Sequence, residues 1–514
     1  MLKKAKIYAQ SGRFDEMLAI CRQIIETNES DVETILNVGV LLLSFGYLTL
    51  AHQCFERVNI LSPNDLRPLV NIANLMRDAG DHGSSLRLYQ DILKLKPDHP
   101  VIHRNFLVSQ EYDPTVDDSE RFQHAIRWGE WAIAKAGGLC SRPSLSLATG
   151  RPLRIGYVSA DLCQHTVGLY LKMVLKAHDS NKVTVFAYSA GRVDDWVTDA
   201  IRGSCSFRDI STLDDAALVE LIHQDEIDVL IDLSGHTAES RLTVFAHRPA
   251  PVMVSWLGYF ATTGLSYVDA VILDEWHAPS GTESQFVEPI VRLPFCRLCY
   301  QPVPWAPAAV SSLPCLQAGH ITFGCFNNTA KLNDGVFDVW AKVLDAVPES
   351  RLVLKWRTLA DESLSDAIRQ AFAKRGIDSG RVELRPASFH AHVLMEYAEI
   401  DIALDPFPFT GGMTSCEALW MGVPIVTLPQ SRVVSRQTFA FLSAIGLPEL
   451  AATDALDYVR IAAKLAADID SLSALRSGLR DRMFNSPLMD VKSFTRELEN
   501  TLFQIYRRIQ ESQK

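Results

Sequence analysis

The chain has 514 residues, a length that allows about three domains. It is 47% hydrophobic and 22% charged, as ordinary globular proteins are, and its net charge of −11 argues against broad nucleic-acid binding. No apolar run is long enough to cross a membrane. Scattered cysteines and an amphipathic start without the apolar core of a signal peptide predict a cytoplasmic protein.

The first hundred residues repeat every 34 residues, as Gly12, Gly46 and Gly80 show. Matching positions follow each glycine: Cys21, Phe55 and Tyr89; Ile24, Val58 and Ile92; Glu29, Pro63 and Pro97. Paired helices with this period are typical of tetratricopeptide repeats, which must stack to bury their apolar faces. We predict this solenoid over residues 1–112, either as a protein-binding surface or as a stabilising cap. Helices from Pro100 to Gln110 and from Asp118 to Lys135 are predicted next. We assign residues 113–150 to a helical linker, which ends in a stretch rich in glycine and proline that includes Gly150.

From Leu153 onward, apolar runs alternate with helical patterns. The runs are LRIGYVSAD, VTVFAYSA, IDVLIDLSGHT, PVMVSWLGY and VDAVILDEW. This alternation predicts a doubly wound parallel sheet over residues 151–312. Because ligands bind beyond the carboxyl ends of such strands, His165 and His236 are placed to face a cleft there, although histidines in loops are more often structural.

A second α/β series follows the Pro- and Ala-rich segment from Pro302 to Gly319. Its strands read ITFGCF, RLVLKW, VELRP, IALD and PIVTL, and a helix from Val491 to Gln513 ends it. We predict a second Rossmann-like domain over residues 313–514. The fold class expected is therefore α plus α/β, an α-solenoid followed by two Rossmann-like domains with a cleft between them.

One strand–turn–helix–strand stretch in the second series, DIALDPFPFTGGMTSCEALWMGVPIVTLPQ, is suited to bind an anion. Gly411 and Gly412 let the backbone approach a ligand, and the helix start supplies free N–H donors. Thr414 and Ser415 can add hydroxyl donors, and Glu417 can accept from sugar hydroxyls. The alternative is an ordinary capped helix.

Lys331 follows the strand ITFGCF in a loop with Asn327 and Asn328. A lysine at a strand's carboxyl end can neutralise a diphosphate, whereas a lone lysine is by default a solvated surface residue. The close cysteine pair Cys296-Arg-Leu-Cys299 has no second pair to complete a zinc site, so we expect no metal.

These motifs together resemble the O-GlcNAc transferase family, of the glycosyltransferase family 41 type. The resemblance is carried by GYVSADLCQH, HRPAPVMVSWLGYFATTG, FGCFNNTAKL, and the glycine-turn stretch followed by Ser435-Arg436. It implies a GT-B fold and inverting transfer of N-acetylglucosamine from UDP-GlcNAc to Ser or Thr hydroxyls of proteins, with no metal or other cofactor. A short repeat array suggests a bacterial member, with flagellin or another surface protein as acceptor.

The resemblance also implies roles for particular residues. Lys331 and Asn328 match the donor diphosphate site; His165, Asp161 and His103 match catalytic positions; Leu257 and Gly258 match the turn near the sugar; Ala387 and His392 match the uridine pocket; Gly411, Gly412, Met413, Thr414 and Ser415 match the phosphate turn; and Glu417 matches the ribose contact.

The sequence departs from animal members of the family at several of these places. A His-Thr-Thr run is replaced by Gly412-Met413-Thr414, and Phe389 replaces a lysine that contacts ribose. Val167 and Phe260 replace a threonine and a proline near the sugar. These changes concern the sugar more than UDP. Transfer of another sugar, transfer to Asn, and an inactive repeat scaffold therefore stay open as alternatives.

Overall fold

The computed structural model describes residues 1–27, 31–145 and 151–512. Glu29 of the repeat pattern, Gly150 of the first linker and the Gln513 end of the last helix lie outside these ranges.

The described part of the repeat region consists of helices joined by short turns. Its helices are α1 Leu2–Gln10, α2 Phe14–Glu26, α3 Val32–Ser44, α4 Leu48–Leu61, α5 Arg67–Asp78, α6 His82–Leu95 and α7 Pro100–Gln110, and the linker that follows contains α8 Asp118–Lys135. Asp31, Asp81 and Asp117 begin three of them by accepting hydrogen bonds from the first-turn backbone. The repeated positions after each glycine that fall on helices are buried, as the pattern predicts.

The first α/β series forms one parallel sheet. Its elements are β1 Leu153–Ser159, α9 Thr166–Ala177, β2 Val183–Ser189, α10 Trp196–Arg202, β3 Ser206–Asp209, α11 Asp215–Gln224, β4 Val229–Asp232, α12 Leu242–Phe245, β5 Val252–Ser255, β6 Ala270–Asp274 and β7 Ile290–Leu293. The strand order is β3-β2-β1-β4-β5-β6-β7. The chain reverses direction of winding between β1 and β4, the place in such sheets where ligands bind.

The second α/β series supplies the remaining elements. They are α13 Cys315–Ala318, β8 Thr322–Cys325, α14 Asp334–Ala346, β9 Arg351–Lys355, α15 Glu362–Ala373, β10 Val382–Arg385, α16 His390–Glu396, β11 Ile402–Leu404, α17 Met413–Trp420, β12 Ile425–Val426, α18 Gln437–Ala444, α19 Ala455–Ala467, α20 Ile469–Phe484 and α21 Val491–Glu511. Strands β10, β9, β8 and β11 lie side by side in that order and run parallel. The predicted fold class, an α-solenoid followed by two Rossmann-like domains, is confirmed.

By its contacts the chain divides into two compact units. Unit 1 contains residues 1–113, 311–409 and 454–473, and unit 2 contains residues 114–310, 410–453 and 474–514. The predicted domain limits, 1–112, 113–150, 151–312 and 313–514, stay predictions.

Within unit 1, the glycine turns of the repeats meet the loops that follow the strands. A methyl group on Gly46 would lie 2.1 Å from the carbonyl oxygen of Arg357, just after β9. One on Gly80 would lie 3.2 Å from the carbonyl oxygen of Leu332, after β8, and one on Gly12 would lie 2.9 Å from the Phe389 ring, after β10. Each of the three glycine turns therefore packs against the loop after a different strand. In sheets of this kind, these loops are where ligands bind.

Candidate active site

Lys331 lies at the carboxyl end of β8, in a 3-10 turn over Thr329–Lys331. Its Nζ donates a hydrogen bond to Asn327 Oδ1 at 2.9 Å and lies 4.7 Å from the centroid of the Phe409 ring. Burial lowers the pKa of Lys331 to about 8, and the nearby Asp405 carboxylate opposes this shift. The residue is thus a half-buried, partnered cation rather than a solvated surface lysine.

The two asparagines before this turn have different partners. Asn328 begins the turn by accepting a hydrogen bond from the backbone N–H of Ala330 at 3.0 Å, while Asn327 is the residue that contacts Lys331. The sequence places both residues in the loop, but the side-chain contact that selects Asn327 appears only in the structure.

In unit 2, the glycine turn leads into α17 as the sequence predicts, with the helix beginning at Met413. Gly412 precedes the helix and supplies no side-chain cap. Ser415 is buried, and its hydroxyl shares a 2.8 Å hydrogen bond with Thr438, which also donates to the carbonyl of Gly411 at 3.3 Å. The turn is therefore fixed from behind by α18, and the first N–H groups of α17 keep the polarity that favours an anion.

Glu417 lies one turn into α17 and is only 5% exposed. Its neighbour Cys416 is buried as well and accepts a weak hydrogen bond from the Tyr170 hydroxyl on α9, with 3.8 Å between O and S. The start of α17 is thus packed on the first sheet's α9, so its orientation within unit 2 is well determined.

His165 and Asp161 form a pair after β1, also in unit 2. His165 Nδ1 lies 3.6 Å from Asp161 Oδ1, and the imidazole is half exposed. The same nitrogen is 3.4 Å from the backbone N–H of Val167 at the start of α9. Burial raises the pKa of Asp161, and the coulombic effect of His165 opposes the shift. An exposed imidazole backed by a carboxylate has the form of a proton acceptor.

His236, in contrast, is a packed histidine. It is 1% exposed, its Nε2 lies 3.0 Å from the carbonyl oxygen of Thr263, and its ring meets Trp128 edge to face. Among the described residues around β4, His236 therefore has a structural environment rather than a catalytic one.

The turn at Leu257 and Gly258, after β5, is strained and tightly held. Leu257 adopts a φ of +69°, a left-handed conformation unusual for a residue with a branched side chain. A methyl group on Gly258 would lie 1.8 Å from the carbonyl oxygen of Leu233. The guanidinium of Arg297 donates to the carbonyls of Leu257 at 3.0 Å and Tyr259 at 2.8 Å, which fixes both sides of the turn.

Arg297 belongs to the Cys296-Arg-Leu-Cys299 segment, and this role was not evident from the sequence. The Asp274 carboxylate accepts from the Arg297 backbone N–H at 2.6 Å and lies 2.6 Å from His277 Nδ1. The carboxylate, imidazole and Cys296 thiol offer possible ligand atoms within 4.8 Å of one another. Burial raises the pKa of the Cys296 thiol, and the buried Arg297 guanidinium adds positive charge beside it.

Ala387 and His392, in unit 1, line a mainly apolar pocket of about 530 Å³ after β10. Arg357 and Phe389 also line it, together with Phe14, Phe45 and Tyr47 from the first two repeats. His103 on α7 is not among the lining residues; its Nε2 lies 2.5 Å from the carbonyl oxygen of Pro97, and burial lowers the pKa of its imidazole.

A family model decides which family these features belong to. The model for glycosyl transferase family 41 matches residues 133–298 and 312–498, which together hold both α/β series. The chain belongs to glycosyl transferase family 41. The family predicted from the sequence motifs is confirmed.

Solved and curated relatives agree with this assignment. The structure of a mutant of Thermobaculum terrenum O-GlcNAc transferase superposes with a TM-score of 0.90 at 33% identity, covering 100% of this chain and 98% of that one. The probable UDP-N-acetylglucosamine–peptide N-acetylglucosaminyltransferase SPINDLY of Petunia hybrida is 38% identical over 81% of this chain. A second probable enzyme of that activity, SEC of Arabidopsis thaliana, is 29% identical over 69% of the chain. The chain spans 45% of the Petunia protein's length and 37% of the Arabidopsis protein's.

Proposed function

We propose that this protein transfers N-acetylglucosamine from UDP-GlcNAc to Ser or Thr hydroxyls of protein acceptors, with inversion at the sugar. The observation that carries the proposal is the match to an O-GlcNAc transferase over the whole chain, repeats included. The site residues taken from the resemblance remain part of this proposal, in the roles that the resemblance implies.

The proposed chemistry needs negative charge to be stabilised as the sugar leaves the diphosphate. The Lys331 ammonium and the N–H groups at the start of α17 supply positive potential for that purpose, and preorganised donors of this kind give large rate effects. In our proposal these groups make a metal ion unnecessary. Leu257 and Gly258 contact the sugar, and Ala387, His392 and Glu417 contact the nucleoside.

The acceptor hydroxyl must lose a proton while it attacks the sugar from the face opposite the diphosphate. His165, half exposed and backed by Asp161, is the proposed acceptor of that proton, with a phosphate oxygen as the other candidate. His103 is proposed to act from the end of the repeats.

The direct test is incubation of the full chain with UDP-GlcNAc and candidate acceptors. Mass spectrometry should find one N-acetylhexosamine on a Ser or Thr of the acceptor, and UDP should be released in equal amount. Repeating the reaction with excess chelator tests the metal-free part of the proposal, since turnover should persist. Failure to release UDP from any sugar nucleotide would contradict the proposal.

A different sugar is the second candidate, because Gly412 offers no side chain at the start of α17 where animal members of the family have a histidine. A hexose on the acceptor would favour this candidate, and an Asn-linked sugar would replace the Ser or Thr assignment. An inactive scaffold would bind protein through its repeats without binding UDP.

The acceptor and the compartment are also part of the proposal. No helix in the described part of the chain is both long and apolar enough to span a membrane. We propose that the protein acts in the cytoplasm on a surface protein, for example flagellin, before that protein is exported. Comparing the glycoproteins of cells with and without the gene identifies the acceptor.

A further inference from the structure

The Lys331 side chain is held by an aromatic ring that comes from another part of the chain. Phe409, which is 8% exposed, follows β11, and its ring centroid lies 4.7 Å from Lys331 Nζ. An ammonium over a ring face is attracted by the ring's negative electrostatic face, and the attraction grows when water is excluded. Asn327 Oδ1 fixes the ammonium from a second direction.

The Phe409 ring is itself stacked on a residue of the repeat region. Tyr112, two residues beyond the end of α7, lies with its ring centroid 4.4 Å from that of Phe409, at an interplanar angle of 27°. Stacked rings at about this distance attract each other by more than the burial of their area supplies. The guanidinium of Arg77, at the end of α5, lies 5.8 Å from the centroid of the Tyr112 ring.

A second connection joins the same end of α5 to the Lys331 turn. Asp78, which pairs with Arg77 at 2.9 Å, accepts a hydrogen bond at its backbone carbonyl from the Thr329 hydroxyl at 2.7 Å. Thr329 and Lys331 lie in the same 3-10 turn. The end of α5, in the third repeat, is therefore connected to this turn by two sets of contacts. One set passes through Tyr112 and Phe409, and the other is the hydrogen bond from Thr329.

We propose that Phe409 and Tyr112 are positioning residues that hold the Lys331 ammonium where the donor diphosphate binds, and that the third repeat is thereby part of the catalytic support. This inference rests on the proposed role of Lys331 in the transfer. It gives the repeats a function in addition to holding the acceptor.

The test is a double-mutant cycle in the full chain, measured as steady-state UDP release from UDP-GlcNAc. Phe409→Leu keeps apolar volume but removes the ring, and it should lower kcat about tenfold with a small effect on KM. In the Lys331→Ala background the same substitution should change kcat by less than about twofold, because a positioning residue acts only through its partner. Phe409→Tyr keeps the ring and should restore most of the activity, and Tyr112→Leu should lower kcat in the same way as Phe409→Leu.

Phe186→Leu is the matched control. Phe186 is 7% exposed, close to the 8% of Phe409, and its ring also faces a cation, with the Arg208 guanidinium 5.7 Å from its centroid. It lies on β2 in unit 2, whereas Lys331 lies in unit 1. Phe186→Leu should lower the melting temperature about as much as Phe409→Leu does and leave kcat unchanged. Equal losses of kcat in Phe186→Leu and Phe409→Leu, or additive losses in the cycle, would overturn the inference. A fully active Lys331→Ala enzyme would instead overturn the proposed function of Lys331.

Discussion

At the scale of single residues, Lys331 is the group on which the proposed chemistry most depends. Lys331→Ala should lower kcat by about 10²–10³, the usual cost of losing one preorganised donor to a developing negative charge. The affinity for the donor should change less, because the charge grows in the transition state. The melting temperature should stay near that of the wild type, since a half-buried side chain in a turn leaves no core cavity.

Steady-state UDP release, with thermal melts alongside, measures this effect. The matched control is Lys342→Ala, which removes an exposed lysine from α14 of the same unit. Near-normal kcat in Lys331→Ala would leave the diphosphate to the start of α17 alone.

The same lysine should give the enzyme an alkaline limit. Because the pKa of Lys331 is lowered to about 8, the ammonium loses its proton as the pH rises through that value, and kcat/KM should fall there. Well below pH 8 the group is fully charged and should make no further contribution to the profile. A pH–rate profile for kcat/KM reports the free enzyme. Lys331→Arg, whose guanidinium stays charged, should lose the alkaline fall; a fall that persists in this variant would assign it to another group.

Arg297 is the residue whose loss should most affect the turn at Leu257 and Gly258. Lysine lacks the fork that reaches both carbonyls, so Arg297→Lys should leave at least one buried carbonyl without its donor. We expect a loss of about 1–3 kcal/mol in the free energy of unfolding, measured by urea denaturation. Arg369→Lys, at a residue 42% exposed on α15, is the control and should cost less than about 0.5 kcal/mol. Equal losses would mean that Arg297 does not support the turn.

At the scale of elements, the contact between the repeats and the strand ends can be tested at one glycine. Gly46 has a φ of +86°, and a methyl group there would overlap the Arg357 carbonyl oxygen. Gly46→Ala should therefore lower the free energy of unfolding for two reasons. The left-handed backbone strain costs about 1–2 kcal/mol, and the methyl group pushes the turn away from the loop after β9.

Gly376 supplies the comparison that separates these two costs. It has a similar φ of +83°, but nothing lies within 4 Å of its added methyl group. Gly376→Ala should show the strain alone, so the difference between the two urea midpoints measures the contact. If the two variants lose equal stability, the turn does not hold the repeats against the strands.

In the first sheet, the sequence predicts a strand well where both of its faces are buried and poorly where they are not. Strands β1, β2, β4, β5 and β6 were recognisable as apolar runs because both of their faces are covered. Strands β3 and β7 were missed because they lie at the two edges of the sheet and are half exposed, so their residues, SFRD and IVRL, show no long apolar run. The repeat period was legible because the glycine turns and buried positions recur at a fixed interval.

The candidate site was predictable only in part, because some of its features are local in the sequence and others depend on contacts between distant residues. Lys331 and the glycine turn follow strands, and strand ends are local features of the sequence. The contacts of Lys331 with Phe409, and of Arg297 with Leu257, join residues far apart in the chain, so no local pattern indicates them. Asn327 and Asn328 are adjacent, and only side-chain direction separates the residue that contacts Lys331 from the one that caps the turn.

At the scale of the whole molecule, donor binding distinguishes an enzyme from a repeat scaffold. A ligand that binds only the folded state stabilises it by mass action, by about 2.7 kcal/mol at a hundred times its Kd. If the chain binds the donor as proposed, UDP should raise the melting temperature in a concentration-dependent way. A scaffold that has lost its donor site should melt at the same temperature with and without UDP.

Matched nucleotides make this last measurement specific. GDP carries the same diphosphate as UDP, so a shift with both would indicate phosphate binding without recognition of the base. A shift with UDP alone would support a uridine site at Ala387 and His392, and Lys331→Ala should reduce that shift because it removes a positive charge from the proposed diphosphate site. A larger shift with GDP than with UDP would contradict the proposed donor while leaving the family assignment unchanged, because that assignment rests on the match over both α/β series.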